Sequence, residues 1–160
     1  MITSWRIVKA RRAETAFDGE GARLSGGRWN SPGTGMVYTS ASAALAVLEI
    51  LVHLGQGDIL PSYVLIACSF AESIVEQLNA DDLPPNWLAY PAPPGLQSVG
   101  DHWVSSARSA VLRVPSVIVP RESNFLLNPA HADFRRVTIE TPEPFNLDLR
   151  LLKASTISST

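Results

Sequence analysis

Cysteine is almost missing from this sequence, since Cys68 is the single one among 160 residues. One cysteine excludes an internal disulfide and a zinc site built from several thiolates. Histidine is also sparse, and His53, His102 and His131 show no ligand spacing, so we expect no metal site. No apolar run reaches membrane length and no cleavable leader is recognisable, which predicts a cytoplasmic protein.

A strong charge of one sign is missing as well. Thirteen basic and 15 acidic residues give a formal net charge of −2, too little field to attract nucleic acid or an anionic membrane, and we expect neither as a partner. The charge is uneven, because residues 1–30 hold six basic and three acidic residues. Two or three arginines of this cationic zone pointing the same way would form an anion site, whereas scattered charges would form a solvated face.

The common nucleotide and hydrolase motifs are not found. Residues 19–24 begin like a dinucleotide fingerprint but lack its third glycine, and the sequence has no Walker loop and no Gly-x-Ser-x-Gly elbow. Asp101 and His102 are neighbours that would point apart on a helix, so they are discounted as an acid/base pair. Cys68 lies in an apolar stretch and is expected to be inert core.

The residues that are present predict one compact domain of the α/β or α+β mixed class. Hydrophobic residues make up 46% of the chain and charged residues 18%, as in soluble globular proteins. Periodicity and turn residues predict strands at 4–10, 36–39, 63–68, 110–114, 116–119, 134–140 and 145–147. They predict helices at 42–56, 74–78 and 97–108. This mixed order of elements is typical of a layered α/β fold.

The predicted helix over residues 42–56 is apolar nearly all the way round, which is typical of a core helix. Its polar residues Ser42, Glu49, His53 and Gln56 fall on one narrow stripe. A carboxylate on a core helix costs several kcal/mol to desolvate unless it is paired or opens onto a cleft. Glu49 is therefore part of an ion pair, part of a solvent-facing edge, or a cleft carboxylate with a chemical role.

Four side chains could together handle an anionic substrate. Arg28 follows two glycines that let the backbone approach a ligand while the guanidinium binds phosphate oxygens. Tyr38 offers an aromatic face and a hydroxyl, Glu49 a carboxylate, and Ser116 a second hydroxyl. Each also has an ordinary explanation, as a surface arginine, a core ring, an ion pair and a turn hydroxyl.

Several blocks of the sequence resemble the RES domain, a family named for arginine, glutamate and serine. The first blocks are SGGRWNS at 25–31, VYTS at 37–40 and AALAVLE at 43–49. The later blocks follow in the family's order, with GDHW at 100–103, VPSV at 114–117, NFLLNPAH at 124–131 and FNLDLR at 145–150. The resemblance covers residues 4 to 152, which predicts a RES domain over 1–153 and a polar C-terminal tail at 154–160.

This resemblance implies a toxin of a type II toxin–antitoxin system with a fold similar to that of ADP-ribosyltransferases. It implies NAD as the substrate, with inorganic phosphate as an optional co-substrate, and no bound cofactor. The implied partner is an Xre-type helix-turn-helix antitoxin, and a homodimer within the toxin–antitoxin complex is left open. By position, the catalytic residues are Glu49, Arg28 and Tyr38, and the substrate-binding residues are Arg28, Tyr38, Ser116 and Arg6.

Cleavage of NAD at its nicotinamide–ribose bond agrees with the missing histidine and metal motifs. The nicotinamide is already a pyridinium and leaves without a proton, so the site needs only to hold the diphosphate and stabilise an oxocarbenium-like ribose. The sequence does not decide whether water, phosphate or a protein side chain is the acceptor. The alternatives are a protein ADP-ribosyltransferase toxin and a non-catalytic binding module in which Glu49 is structural.

Overall fold

The computed structural model describes residues 1–54 and 61–155, and in these ranges eight strands join into one sheet. The strands are β1 (Ile2–Lys9), β2 (Val37–Ser40), β3 (Tyr63–Phe70), β4 (Val75–Gln77), β5 (Val111–Pro115), β6 (Ser123–Leu127), β7 (Thr138–Ile139) and β8 (Glu143–Phe145). The α-helices are α1 (Glu20–Ser25), α2 (Ala43–Leu51) and α3 (Pro94–Ser106). Short 3₁₀ helices cover Ala10–Thr15, Glu72–Ile74, Ala80–Asp82, Ala132–Arg136 and Leu149–Ser155. The predicted mixed α/β domain is confirmed.

The strands follow the order β4-β5-β6-β2-β1-β3, and both β7 and β8 pair with the far side of β3. Among the strand pairs of the described residues, only β4 with β5 is parallel, and all the others are antiparallel. The antiparallel pairing of β2 with β6 brings the glycine-rich N-terminal third of the chain beside a strand that is distant in sequence. Residues from both parts therefore meet in the middle of the sheet.

Hydrophobic cores cover the two faces of the sheet. Because side chains alternate along a strand, Val111 and Leu112 on β5 belong to different cores. One core contains Phe70 and Phe125, whose rings pack edge to face at 5.4 Å. The other core packs α3 against the sheet, and its members are Trp29, Met36, Leu96, Trp103, Leu112, Val114 and Leu126. In α3, Gly100 is needed because a Cβ there would collide with the Trp29 carbonyl.

The sheet opens between β1 and β2. The β1 strand pairs with β3 along all eight of its residues and β2 pairs with β6 along all four, but β1 and β2 share only the pair Trp5 and Ser40. Beyond this pair the strands separate, and α2 packs over both of them. The separation creates room for a cavity in the middle of the sheet.

The α2 helix is shorter and less buried than the sequence predicts. It begins after Ser42, whose hydroxyl accepts a hydrogen bond from the Leu45 amide, and only Leu45 and Ala46 are buried. Leu48 is 38% exposed, and Val52, which ends the helix, is 61% exposed. A helix is present where it was predicted, but the prediction that it is a core helix is wrong, because α2 packs on the sheet with one side and leaves apolar residues of the other side uncovered. The predicted end of the helix lies outside the described residues.

Other predicted elements also differ. The predicted helix 74–78 is wrong, because residues 75–77 form β4, which pairs with β5. The predicted strand 116–119 is a turn closed by the Ser116 amide bonding the Glu122 carbonyl. The predicted strand 134–140 shortens to β7 after a 3₁₀ helix, the last extended piece forms β8 at Glu143–Phe145, and β6 was not predicted. These differences arise because strand formation depends on pairing partners that are distant in sequence, and the local periodicity of a segment carries no information about them.

The C-terminal part of the chain ends in a 3₁₀ helix, Leu149–Ser155, which reaches the first two residues of the predicted tail. Residues 156–160 of that tail lie outside the described residues. Within 1–54 and 61–155, no helix combines the length and apolar character that crossing a membrane requires.

Candidate active site

The Glu49 carboxylate lies at the opening between β1 and β2. Its Oε1 accepts two hydrogen bonds, at 2.9 Å from the Ser116 hydroxyl and at 2.6 Å from Nδ2 of Asn124. Within the described residues Oε2 forms no hydrogen bond or ion pair. The carboxylate is thus fixed through one oxygen while the other stays available, which agrees with the cleft alternative rather than the ion pair.

Ser116 is fully buried and holds Glu49 from the turn after β5. Its Oγ accepts hydrogen bonds of 3.1 Å from the amides of Ile118 and Val119 and donates its single hydrogen to Glu49. A hydroxyl has one donor and two acceptor lone pairs, so its capacity is fully used. A substrate contact, as predicted from the sequence, would require one of these bonds to break.

Asn124 is a site residue that the sequence reasoning missed. It lies on β6 opposite Ser40 of β2 and Val114 of β5. Its Nδ2 holds Glu49, while its Oδ1 is buried without a hydrogen-bond partner among the described residues. The available signal was a polar residue directly before the apolar run Phe125–Leu127 in a block that matches the family. Its contact with α2 could not be read from the sequence.

Arg6 bridges the separated strands. Its Nη1 donates a 2.8 Å hydrogen bond to the Tyr38 carbonyl, and its Nε is buried without a partner among the described residues. Burial lowers the pKa of Arg6 to about 10, although the charges of Cys68 and Asp18 oppose this shift. The guanidinium therefore still carries its charge at neutral pH in a largely desolvated position.

Tyr38 is held by the glycine-rich loop that precedes β2. Its hydroxyl accepts a 3.0 Å hydrogen bond from the Trp29 amide and donates a 2.6 Å bond to Oδ1 of Asn30. Burial raises the pKa of Tyr38 well above its ordinary value, while the Trp29 amide acts in the opposite direction. Tyr38 therefore stays protonated at physiological pH. Gly27 lies against it so closely that a Cβ at this position would be 2.7 Å from the hydroxyl oxygen.

The same loop is anchored by α3 and by its own asparagine. Asn30 is fully buried, and its Nδ2 donates to the carbonyls of Ala22, Ser31 and Thr34. Gln97 donates to the loop carbonyls of Gly27 and Asn30, and Asp101 accepts a 2.9 Å bond from the Ser31 amide. Asp101 thus has a structural contact, and the loop is an ordered part of the site.

Arg28 lies on this loop, outside the cavity that contains Glu49. Its Nη1 donates hydrogen bonds of 3.2 Å to the carbonyls of Trp87 and Ala89 in the proline-rich connection. Its neighbours in the chain, Gly27 and Trp29, lie against the Tyr38 hydroxyl. The structure therefore places the backbone around Arg28 beside Tyr38, but the Arg28 guanidinium binds the proline-rich connection and does not line the cavity that contains Glu49.

One cavity of about 200 Å³, here called the Glu49 cavity, brings three predicted site residues together. Its lining residues include Arg6, Tyr38, Glu49, His53 and Asn124. His53 follows just after the end of α2, and Glu49 and His53 of the predicted polar stripe line the cavity, whereas Ser42 caps the helix and Gln56 lies outside the described residues. The Glu49 cavity thus combines a fixed carboxylate, a buried guanidinium and an aromatic ring, a set suited to a ligand that carries negative charge and develops positive charge during reaction.

In the part of the chain that the structure describes, no three His, Cys, Asp or Glu side chains gather in a way that could hold a metal ion. Cys68 is buried, and its Sγ lies 3.1 Å from the Ser4 hydroxyl. Burial raises the pKa of this thiol, although the Ser4 hydrogen bond and the charge of Arg6 act against the shift.

A comparison with known protein families identifies the family to which the chain belongs. The RES domain model matches residues 3–148. The chain belongs to the RES domain family. The match extends from β1 to the residues just after β8, so it includes every residue of the Glu49 cavity.

Curated relatives of this RES domain are similar over nearly the full length of the chain. A protein named Toxin Res from Photorhabdus laumondii subsp. laumondii is 38% identical over 152 residues, which cover 94% of this chain and 97% of that protein. A protein named Prs ADP-ribosylating toxin from Sphingobium sp. (strain YBL2) is 39% identical over 159 residues, which cover 96% and 99%.

A solved structure is similar to the fold. It is described as the crystal structure of the M.tuberculosis MbcT-MbcA toxin-antitoxin complex, and the match has a TM-score of 0.70 at 20% sequence identity. The match covers 89% of this chain and 83% of that chain. At this identity, the likeness supports the RES domain fold and no residue role.

Proposed function

We propose that this RES domain is the toxin of a toxin–antitoxin system and cleaves the nicotinamide–ribose bond of NAD in the cytoplasm. The observation that carries the proposal is the asymmetric holding of Glu49, with Oε1 fixed by two donors and Oε2 left without one among the described residues. A carboxylate held in this way has one oxygen available at a cavity that a buried guanidinium also lines.

The chemistry requires little from the protein beyond placement of charge. When the C1″–N bond breaks, its electron pair goes to the nicotinamide, which leaves as a neutral molecule. The ribose then develops positive charge, and Glu49 Oε2 stabilises this charge or binds the ribose hydroxyls. Water attacks C1″ to give ADP-ribose and a proton, whereas inorganic phosphate would give ADP-ribose 1″-phosphate.

The other residues have supporting tasks in this proposal. Tyr38 packs against the nicotinamide or ribose, since its hydroxyl is already bonded to the loop. Arg6 faces the negative charge of the substrate from the other wall of the Glu49 cavity. Ser116 and Asn124 act through Glu49 as positioning residues. Arg28 remains predicted as a phosphate ligand, which would require its guanidinium to leave the carbonyls of Trp87 and Ala89.

The product mixture tests this proposal. Purified protein is incubated with NAD, with and without inorganic phosphate, and the products are separated by chromatography. Nicotinamide with ADP-ribose supports hydrolysis, and ADP-ribose 1″-phosphate that appears only with phosphate supports phosphorolysis. If no nicotinamide is released under either condition, the proposed enzymatic activity is contradicted and the alternative of a non-catalytic binding module is favoured.

A protein ADP-ribosyltransferase is the second candidate, because a relative 39% identical to this chain is named an ADP-ribosylating toxin. It would share the release of nicotinamide but would transfer the ADP-ribose to a macromolecule. NAD labelled in the adenine ring distinguishes the two, since transfer places the label in a protein band of a cell extract. If all of the label is recovered in small molecules, the transferase is contradicted and hydrolysis or phosphorolysis is supported.

An Xre-type helix-turn-helix antitoxin is the proposed partner. The similar fold described above comes from a toxin–antitoxin complex, and Leu48 and Val52 expose apolar surface beside Glu49 and His53. A partner that covers this face of α2 would also close the Glu49 cavity. Coexpression with the neighbouring reading frame, followed by gel filtration, tests the complex and whether it contains one or two copies of this chain.

A further inference from the structure

A second cavity of about 510 Å³ adjoins the Glu49 cavity. Arg6, Ile50 and His53 line both cavities, so the two meet at these side chains. Lys9, at the end of β1, and Arg12, in the 3₁₀ helix that follows, add two further cations. We call the space lined by Arg6, Lys9, Arg12 and His53 the basic cavity.

The cations of the basic cavity are not neutralised by carboxylates within the described residues. Among residues 1–54 and 61–152, Arg6, Lys9 and Arg12 form no ion pair with a carboxylate. A concave wall lined by charge of one sign concentrates its field and attracts counter-ions. An anion would stabilise Arg6 most, because its guanidinium is largely desolvated and its Nε has no partner in the described structure.

The size of the Glu49 cavity indicates that a dinucleotide must extend beyond it. Sites for drug-sized ligands enclose about 300–1,000 Å³, and the Glu49 cavity has about 200 Å³. It therefore has room for one end of the molecule. The basic cavity, at about 510 Å³, supplies the missing volume on the Arg6 side.

We propose that the basic cavity binds the phosphates of the adenosine diphosphate half of the substrate, through Lys9 and Arg12 together with Arg6. This inference rests on the proposed function, because it assumes a dinucleotide whose other end reaches Glu49. Arg28 does not line the basic cavity. Lys9 and Arg12 are then residues that set affinity, whereas the bond-breaking step stays with Glu49.

Binding of ADP tests the inference without any cleavage step. Isothermal titration calorimetry compares ADP and adenosine on the wild type, on Lys9→Ala/Arg12→Ala and on Arg28→Ala. Arg11→Ala is the matched control, because Arg11 lies on the same 3₁₀ helix, carries the same charge and does not line the basic cavity. Lys9, Arg11 and Arg12 are exposed, so these variants should keep the wild-type melting temperature.

We expect ADP to bind and adenosine to bind much more weakly, with the double variant weakening ADP by about 10-fold or more. Arg11→Ala should stay within about 2-fold of the wild type, since an exposed charge outside the cavity is screened by salt. The inference is overturned if Arg11→Ala weakens ADP as much as the double variant does. It is also overturned if ADP binding depends on Arg28 and not on Lys9 and Arg12.

The inference and the proposed function fail in different ways. Tight ADP binding that depends on Lys9 and Arg12, without release of nicotinamide from NAD, would overturn the proposed reaction and keep the phosphate site. Release of nicotinamide with unchanged ADP binding in Lys9→Ala/Arg12→Ala would overturn the phosphate site and keep the reaction.

Discussion

Ser116 donates a 2.9 Å hydrogen bond to Oε1 of Glu49, joining the turn after β5 to α2 across 67 residues of sequence. The same Oγ accepts the amides of Ile118 and Val119, so the turn fixes the direction of the hydroxyl. Since Asn124 bonds the same oxygen, two late segments of the chain orient one carboxylate of the N-terminal half. Glu49 is placed by these contacts and needs no ion pair.

Replacing Ser116 with alanine should lower both stability and activity. The change removes a donor from Glu49 and leaves the part-buried amides of Ile118 and Val119 without this acceptor, at a cost of about 1–3 kcal/mol in the free energy of unfolding. Urea unfolding and the rate of nicotinamide release measure the two effects. Unchanged values for both would show that the hydroxyl does not hold the carboxylate.

Asn124 gives a sharper test of positioning, because two substitutions should act differently. Asn124→Ala removes one donor and should lower kcat with little change in KM. Asn124→Asp places a second carboxylate against Glu49, and two carboxylates so close share a proton. The activity of Asn124→Asp should therefore rise as the pH is raised, unlike that of Asn124→Ala. Identical pH profiles for the two variants would contradict the positioning role.

Gly27→Ala should damage the site through Tyr38. A Cβ at position 27 would lie 2.7 Å from the Tyr38 hydroxyl oxygen and 3.0 Å from Oδ1 of Asn30, so this pair of hydrogen-bonded groups must shift. We expect a loss of stability of about 1–3 kcal/mol and weaker NAD cleavage. The control is Gly21→Ala in α1, where a Cβ meets nothing within 4 Å and alanine favours the helix. Equal behaviour of the two variants would contradict the account of the loop.

The Cys68 thiol should be unreactive until the protein unfolds. Because burial raises its pKa, the native protein contains less thiolate at pH 8 than an exposed cysteine would, and the sulfur is inaccessible. Labelling with a thiol reagent should be slow in buffer and fast in concentrated urea. Equally fast labelling in both conditions would show that β3 is open to solvent.

The sequence predicted those features that local pattern determines. The strands at β1, β2 and β3, the helix α3 and the polar stripe through Glu49 and His53 all follow from the spacing of apolar and polar residues. The family resemblance identified five candidate site residues. Three of them, Arg6, Tyr38 and Glu49, line one cavity, and Ser116 donates a hydrogen bond to Glu49.

The features that the sequence did not predict depend on contacts between distant segments. Residues 75–77 form a strand because β5 lies alongside them, although their local pattern favours a helix. Asn124 contacts Glu49 through the pairing of β2 with β6, which brings β6 to α2. The cations of the basic cavity come together because Lys9 ends β1 and Arg12 lies in the 3₁₀ helix directly after it, while Arg28 donates hydrogen bonds to the carbonyls of Trp87 and Ala89.

If the charge of Glu49 drives cleavage, Glu49→Gln should lose activity while it keeps the native fold. A glutamine oxygen can still accept the hydrogen bonds from Ser116 and Asn124, so the variant should fold as the wild type does and lack only the charge. Glu14→Gln, an exposed residue outside both cavities, is the matched control. We expect the initial rate of nicotinamide release from NAD to fall by about 10²–10³ in Glu49→Gln and to stay unchanged in Glu14→Gln. A rate for Glu49→Gln equal to that of the control would contradict the account.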